Sequence, residues 1–211
     1  MSLIWKPDDP DRPQPKVLVN RAAPRRLQEA EAPPAHNGVL PRYGIVDTTF
    51  STVDMGQVAR DALHEAGIAA SRIASVTVPG FKDLAVAAKL LIEREGCGIV
   101  LACGMPGPEA IDKQCGHEAS LAIGQAQLLT STHILECFVH MDEARTDAEL
   151  IRICRNRVAE HALNLVWLLE RPEELRKRAG TGQRQGFSDV GAADAARTES
   201  GHLRPGAAGP Q

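Results

Sequence analysis

Between residues 42 and 179, short apolar runs alternate with longer stretches whose apolar side chains recur every three to four residues. The runs are Tyr43 to Val46, Ile73 to Val78, Gly98 to Cys103 and Ile134 to Val139. Gly98 to Cys103 is dry, has no alternation and is bounded by glycines, which suits a strand covered on both faces of a parallel sheet. Asp54 is placed to cap a first helix with Met55, Val58, Ala59, Ala62, Leu63 and Ala66 on one face, ended by Gly67. A second helix is expected over Lys82 to Glu95, with Leu84, Ala87, Ala88 and Leu91 as its apolar face. A third follows Asp112, read as its cap, and a fourth runs from Asp147 to Glu170 and stops at Pro172. Four strand-then-helix units predict right-handed crossovers and an α/β fold, a four-stranded parallel sheet between two helix layers.

The two ends depart from this pattern. Residues 1–41 hold eight of the fourteen prolines, mixed with charges of both signs, and are expected to be a disordered or loosely docked arm. Val17-Leu18-Val19 is the one strand-like scrap there. One structured domain is expected over 42–179, followed by a tail over 180–211 that is mobile beyond about 191. Aromatics make up only 3% of the chain, so aliphatic side chains must fill the core. A net charge of -3 offers no electrostatic case for nucleic acid. No apolar run approaches the ~20 residues of a membrane span, and proline and charge arrive by Lys6-Pro7-Asp8, where a signal peptide needs an apolar core. No membrane association and a cytoplasmic location are therefore expected. Cys97, Cys103, Cys115, Cys137 and Cys154 include no C-x-x-C pair and read as small buried hydrophobes of a reducing compartment.

Candidate chemistry lies in the loops after the strands. They carry Asp47-Thr48-Thr49-Phe50, Pro79-Gly80-Phe81-Lys82-Asp83, Gly104-Met105-Pro106-Gly107 and His140-Met141-Asp142-Glu143. A parallel sheet delivers all four to one edge, where ligands of open α/β sheets bind. An aromatic face with hydroxyls and free backbone amides around it suits a planar polar heterocycle. No G-x-x-x-x-G-K-[ST] or G-x-G-x-x-G is present to cradle a nucleotide phosphate. Cys115 and His117 face different ways on a helix and lack a second ligand pair, so zinc is not expected. Phe50 either stacks on a ligand or plugs the top of the core. His117 and His140 are both candidate proton carriers. Glu118 points about 100° from His117 and need not pair with it. Asp83 at a helix start is explained by the helix dipole at least as well as by catalysis. His161, among Cys154, Val158, Leu165 and Leu168, reads as a core or interface residue.

Together these loops resemble the archaeal-type riboflavin synthases. The resemblance rests on Gly44 to Phe50, Val53-Asp54-Met55, Thr77 to Gly80, Lys82-Asp83-Leu84, Gly104 to Gly107, Asp112-Lys113, His117 to Ser120 and Phe138-Val139-His140. Ala179-Gly180 and Arg184 to Phe187 extend it, so that it covers about 43–191. It implies the lumazine synthase-like fold, a flavodoxin-like three-layer sandwich, assembled as a homopentamer with sites between subunits. The implied reaction converts two 6,7-dimethyl-8-ribityllumazine molecules into riboflavin and 5-amino-6-ribitylaminouracil, with no organic cofactor and magnesium as an optional aid. Ala85 stands where that pattern has proline after Lys-Asp-Leu, a loss of rigidity in a first helical turn. Lumazine synthase is the nearest alternative, but Gly104 to Gly107 lacks the basic residue of its phosphate loop. A non-catalytic flavin- or lumazine-binding scaffold is the other.

For the implied reaction, a donor methyl must lose a proton and its anion must attack the acceptor. His117 or His140 is expected to carry that proton, with Glu118 nearby. Gly116 tips the choice slightly to His117 by permitting close backbone approach. Phe50 is expected to stack on the heterocycle. Thr48, Thr49, Asp54, Val78, Pro79, Gly80, Lys82, Asp83, Leu84, Gly104, Met105, Pro106 and Gly107 complete the expected substrate contacts.

Overall fold

A computed structural model describes residues 40–182. The expectations for residues 1–39, including Val17-Leu18-Val19, and for 183–211, including Arg184 to Phe187, lie outside the described residues. Four strands form one sheet: β1 (Arg42–Thr48), β2 (Ile73–Val78), β3 (Cys97–Gly104) and β4 (Ile134–Phe138). All pairings are parallel and the order is β2-β1-β3-β4. The helices are α1 (Met55–Glu65), α2 (Leu84–Glu95), α3 (Ala110–Thr130), α4 (Asp147–Glu170) and α5 (Pro172–Arg178). This is the parallel sheet between two helix layers that the alternation of runs predicts, and the flavodoxin-like sandwich that the resemblance implies.

The strand period of two splits the core into two layers. Tyr43, Ile45, Ile99, Leu101, Cys103 and Cys137 face α1 and α4. Val46, Ala74, Val100, Ala102 and Ile134 face α2 and α3. Chain direction explains which helix goes where. β1 to β2 steps one way along the sheet, while β2 to β3 and β3 to β4 step the other. Right-handed crossovers then put α1 on one face and α2 and α3 on the opposite face.

Several local expectations are corrected. Asp47 and Thr48 are not loop residues: they extend β1 and pair with Thr77 and Val78. Asp47 is buried because its carboxylate accepts the Gly56 amide N–H at 3.1 Å. Gly104 likewise belongs to β3, beside Phe138. Lys82 and Asp83 lie in a 3-10 turn, Phe81–Asp83, before α2 begins. Asp112 is not the cap of α3: the helix opens at Ala110 and Glu109 is the flanking residue. Pro172 ends α4 but also opens α5, where its missing N–H costs nothing. Arg178 holds α5 against α4, its guanidinium 4.1 Å from the Trp167 ring centroid.

At the amino-terminal end of the strands, Glu170 closes the sheet. Its carboxylate accepts the Tyr43 hydroxyl at 2.7 Å and pairs with Arg72 at 2.7 Å. Burial first, and the Glu170 carboxylate after it, push the Tyr43 phenol far above its ordinary range. Glu170→Ala removes the partner of a buried phenol and a largely buried guanidinium and should cost about 2–4 kcal/mol, read from the urea midpoint at constant m-value. A cost below about 0.5 kcal/mol would mean that water replaces the carboxylate freely.

Candidate active site

Three phenylalanines form a file at the carboxyl edge of the sheet. Phe81 is buried, with its ring centroid 5.4 Å from Phe138 and 6.2 Å from Phe50, both edge to face. That spacing is the favourable one for aromatic pairs. Gly104 lies beneath the file. A Cβ there would overlap the Phe81 ring and stand 3.1 Å from that of Phe138. Phe50 ends the file in solvent at 48% exposure, so it is not the core plug that its sequence position also allowed. Beside it is a cavity of about 260 Å³ lined by Phe50, Pro79, Gly80, Phe81, Lys82, Asp83, Asp112 and Cys115.

Cross-loop bonds hold this edge. The Thr49 amide donates to the Val78 carbonyl at 3.0 Å, and its hydroxyl donates to the Pro79 carbonyl at 3.2 Å. Thr52 donates to the Met105 sulfur at 3.2 Å, joining the loops after β1 and β3. Thr48 and Ser51 share a hydroxyl bond at 3.1 Å. Asp54 accepts the Gln57 amide at 2.7 Å, so it caps α1 and is engaged there. Leu84 and Met105 are fully buried, and Val78 nearly so, as core side chains rather than cavity lining. Pro106 and Gly107 are buried too, and any side chain at Gly107 would strike Asp112.

Two ion pairs bind α3 to the neighbouring loops. Lys82 pairs with Glu118 at 2.6 Å, and Lys113 with Asp142 at 2.5 Å. The Lys82 ammonium first, and the Gln114 amide after it, hold Glu118 below the ordinary carboxylate range. The same bond raises Lys82. A depressed carboxylate loses its contribution as pH falls through its lowered value, and a raised lysine as pH rises through its own. Both groups stay charged across neutral pH. Glu118 is thus a brace between the Phe81–Asp83 turn and α3, not an acid poised near neutrality.

The two histidines lie in different settings. His117 is exposed, two residues beyond Cys115 and therefore about 200° around α3 from that cavity-lining thiol. It shares a face with the exposed Leu121 and Leu128. Gly116 is small because the Pro106 ring packs there, 3.3 Å from where a Cβ would lie. The reason for ranking His117 first is thereby removed. His140 is half-buried at the end of β4, between Phe138 of the aromatic file and Asp142 of the ion pair. Its amide donates to Glu143 at 2.8 Å. Neighbouring amides fix it further: Val139 donates to the Gly104 carbonyl at 3.0 Å and Met141 to that of Pro106 at 2.9 Å.

Four cysteines are buried, and burial pushes Cys97 up to about 11 and Cys154 up to about 12. Cys115 instead lines the cavity, an assignment that cysteine spacing alone does not reveal. Among the described residues, no three His, Cys, Asp or Glu side chains converge on a metal-holding arrangement. Asp142 and Glu118 of the rim are engaged by lysines. Those two carboxylates are therefore not open to magnesium. No helix among the described residues is long and apolar enough to cross a membrane. Phe81, the hub of the file, is not among the expected substrate contacts, and Asp112 enters the sequence reading as a helix cap and a motif residue, not as part of the cavity wall. Phe81 lies inside the Pro79 to Asp83 loop, where a phenylalanine after Pro-Gly in so aromatic-poor a chain is the available signal, whereas Asp112 lies in the first turn of α3.

The sheet order defines a doubly wound α/β protein, and its cavity lies at the carboxyl edge of the strands, where such folds bind small ligands. Residues 41–173 match the sequence profile of 6,7-dimethyl-8-ribityllumazine synthase. The chain is 54% identical over 152 residues to the riboflavin synthase of Methanothermobacter marburgensis, covering 71% of this chain and 97% of that protein. The riboflavin synthase of Archaeoglobus fulgidus is 43% identical over 150 residues, covering 71% and 97%. That of Aeropyrum pernix is 42% identical over 149 residues, covering 70% and 95%. The chain belongs to the 6,7-dimethyl-8-ribityllumazine synthase family, in its archaeal riboflavin synthase branch.

Proposed function

We propose that the chain is a riboflavin synthase, transferring a four-carbon unit between two molecules of 6,7-dimethyl-8-ribityllumazine. The observation that carries this reading is 54% identity to a riboflavin synthase across 97% of that protein's length. The aromatic file and its cavity support it, because they suit a flat heterocycle with polar edges. The two substrates contain all atoms of riboflavin and 5-amino-6-ribitylaminouracil, so the overall change draws on no oxidant, hydride or water.

Phe50 stacks on the heterocycle, and the Pro79 to Asp83 turn clamps its edge. His140 takes the methyl proton and His117 does not. The support is that His140 lies in a segment fixed by three backbone contacts, whereas His117 lies on an exposed helix face. His140 does not line the cavity of its own protomer. The reading therefore sets it against the cavity of an adjacent copy in a homopentamer. Two features support such an assembly. About 260 Å³ falls short of the ~300–1,000 Å³ usual for one ligand, let alone two. Ile111, Leu121, Leu128 and Leu129 leave α3 with exposed apolar side chains that a second copy would cover.

Purified protein given the dimethyl-ribityllumazine alone tests the function. A riboflavin synthase forms riboflavin, a lumazine synthase forms none, and a binding scaffold only perturbs the ligand's fluorescence. Phe50→Ala should raise KM about tenfold with the thermal midpoint within ~2 °C of the parent, because the ring is half in solvent. A collapsed midpoint with normal KM in the surviving protein would return Phe50 to a packing role.

A further inference from the structure

Arg157 lies on the core face of α4, its side chain only 10% exposed, between Cys154 and Val158. An arginine at such a position is costly unless its charge and its donors are met. Nη1 donates to the Phe138 carbonyl at 2.8 Å and to one Glu143 carboxylate oxygen at 2.8 Å, and Nη2 donates to the other at 2.5 Å. The first of those carboxylate oxygens also accepts the His140 amide at 2.8 Å, and the Glu143 amide donates to the His140 carbonyl at 3.0 Å. The fork therefore grips both ends of the segment that runs from the aromatic file through His140 to the 3-10 turn Met141–Glu143. A buried ion pair adds little net stability over apolar packing of the same volume. What this one adds is a fixed geometry for the residues between its contact points.

We propose that Arg157 and Glu143 are positioning residues, which hold His140 and the Phe138 ring in reacting register without touching substrate. The inference rests on the reading of His140 as the proton carrier. Misplacing a reacting group by about 1 Å can cost on the order of 100-fold in rate, while substrate affinity depends on other side chains. The pair thus sets kcat rather than KM.

The test uses the full chain and the variants Arg157→Met, Arg157→Lys, Glu143→Met and the double Arg157→Met/Glu143→Met. Arg157→Met should lower kcat about 30- to 100-fold with KM within about threefold, and should lower the thermal midpoint. Arg157→Lys keeps the charge and an ammonium donor group but not the planar fork, and should recover about tenfold of that loss. The double variant leaves neither charge in the core. It should regain the thermal midpoint while kcat stays low. A double variant whose kcat returns with its stability would reduce the pair to a structural role and overturn the proposal. So would Arg157→Met with kcat within twofold of the parent. If the single variants do not fold, the double variant decides. Amide hydrogen exchange at Val139, His140 and Met141 reads the bracing without turnover: protection should fall at least about tenfold in the double variant. Unchanged protection contradicts the proposal. A parent protein that makes no riboflavin would instead defeat the proposed function, and the exchange data would then decide the bracing alone.

Discussion

His140→Asn should lower kcat by about 100-fold or more, the usual scale of lost acid–base catalysis, while KM moves by less than about threefold. Asparagine fills a similar volume and keeps hydrogen-bonding capacity, but it cannot accept and release a proton near neutral pH. The backbone bonds that fix residue 140 involve its amide and carbonyl, so they survive the change. Riboflavin fluorescence across pH, for His140→Asn and His117→Asn side by side, settles the assignment. If the loss falls at His117, the roles are exchanged. If neither variant changes the rate by even a few-fold, geometry and the substrate's own acidity carry the step.

Gly104→Val should raise KM more than tenfold and destabilise the protein by about 1–3 kcal/mol, the usual cost of overpacking a core. The first added carbon would already overlap the Phe81 ring, which packs between Phe50 and Phe138. Phe81 is buried beside Leu84 and Val78 and has little room to retreat. The ring must move into the cavity or the strand must shift, and either outcome spoils the wall on which the ligand rests. Substrate titration by fluorescence, with urea unfolding in parallel, separates the two effects. Normal KM in a folded Gly104→Val protein would show that the aromatic file does not contact the ligand.

The architecture was legible because β3 is an unbroken apolar run, the other strands are short and mostly apolar, and each helix keeps its period. The errors fall where a polar residue is buried for a specific partner. Asp47 and Thr48 look like loop residues, yet β2 pairs with them and the Gly56 amide meets the carboxylate. α5 was hidden because Pro172 reads as a stop signal, although proline starts helices as readily as it ends them. The site was legible as four loops but not as a set of contacts. Glu118 looks catalytic in sequence, and only the fold brings Lys82 to it. Arg157 shows the reverse. It takes a core position in the stripe Ile153, Cys154, Val158 and Leu165. A charge on that stripe was the visible sign of a buried partner, but Glu143 lies fourteen residues away and its pairing depends on how β4 turns into α4.

The most direct measurement is the stoichiometry of turnover. Purified protein is supplied with 6,7-dimethyl-8-ribityllumazine and nothing else that can react, and both products are followed by chromatography. One riboflavin and one 5-amino-6-ribitylaminouracil should appear for every two lumazines consumed. Riboflavin without the pyrimidine, or lumazine that binds and is returned unchanged, would contradict the account.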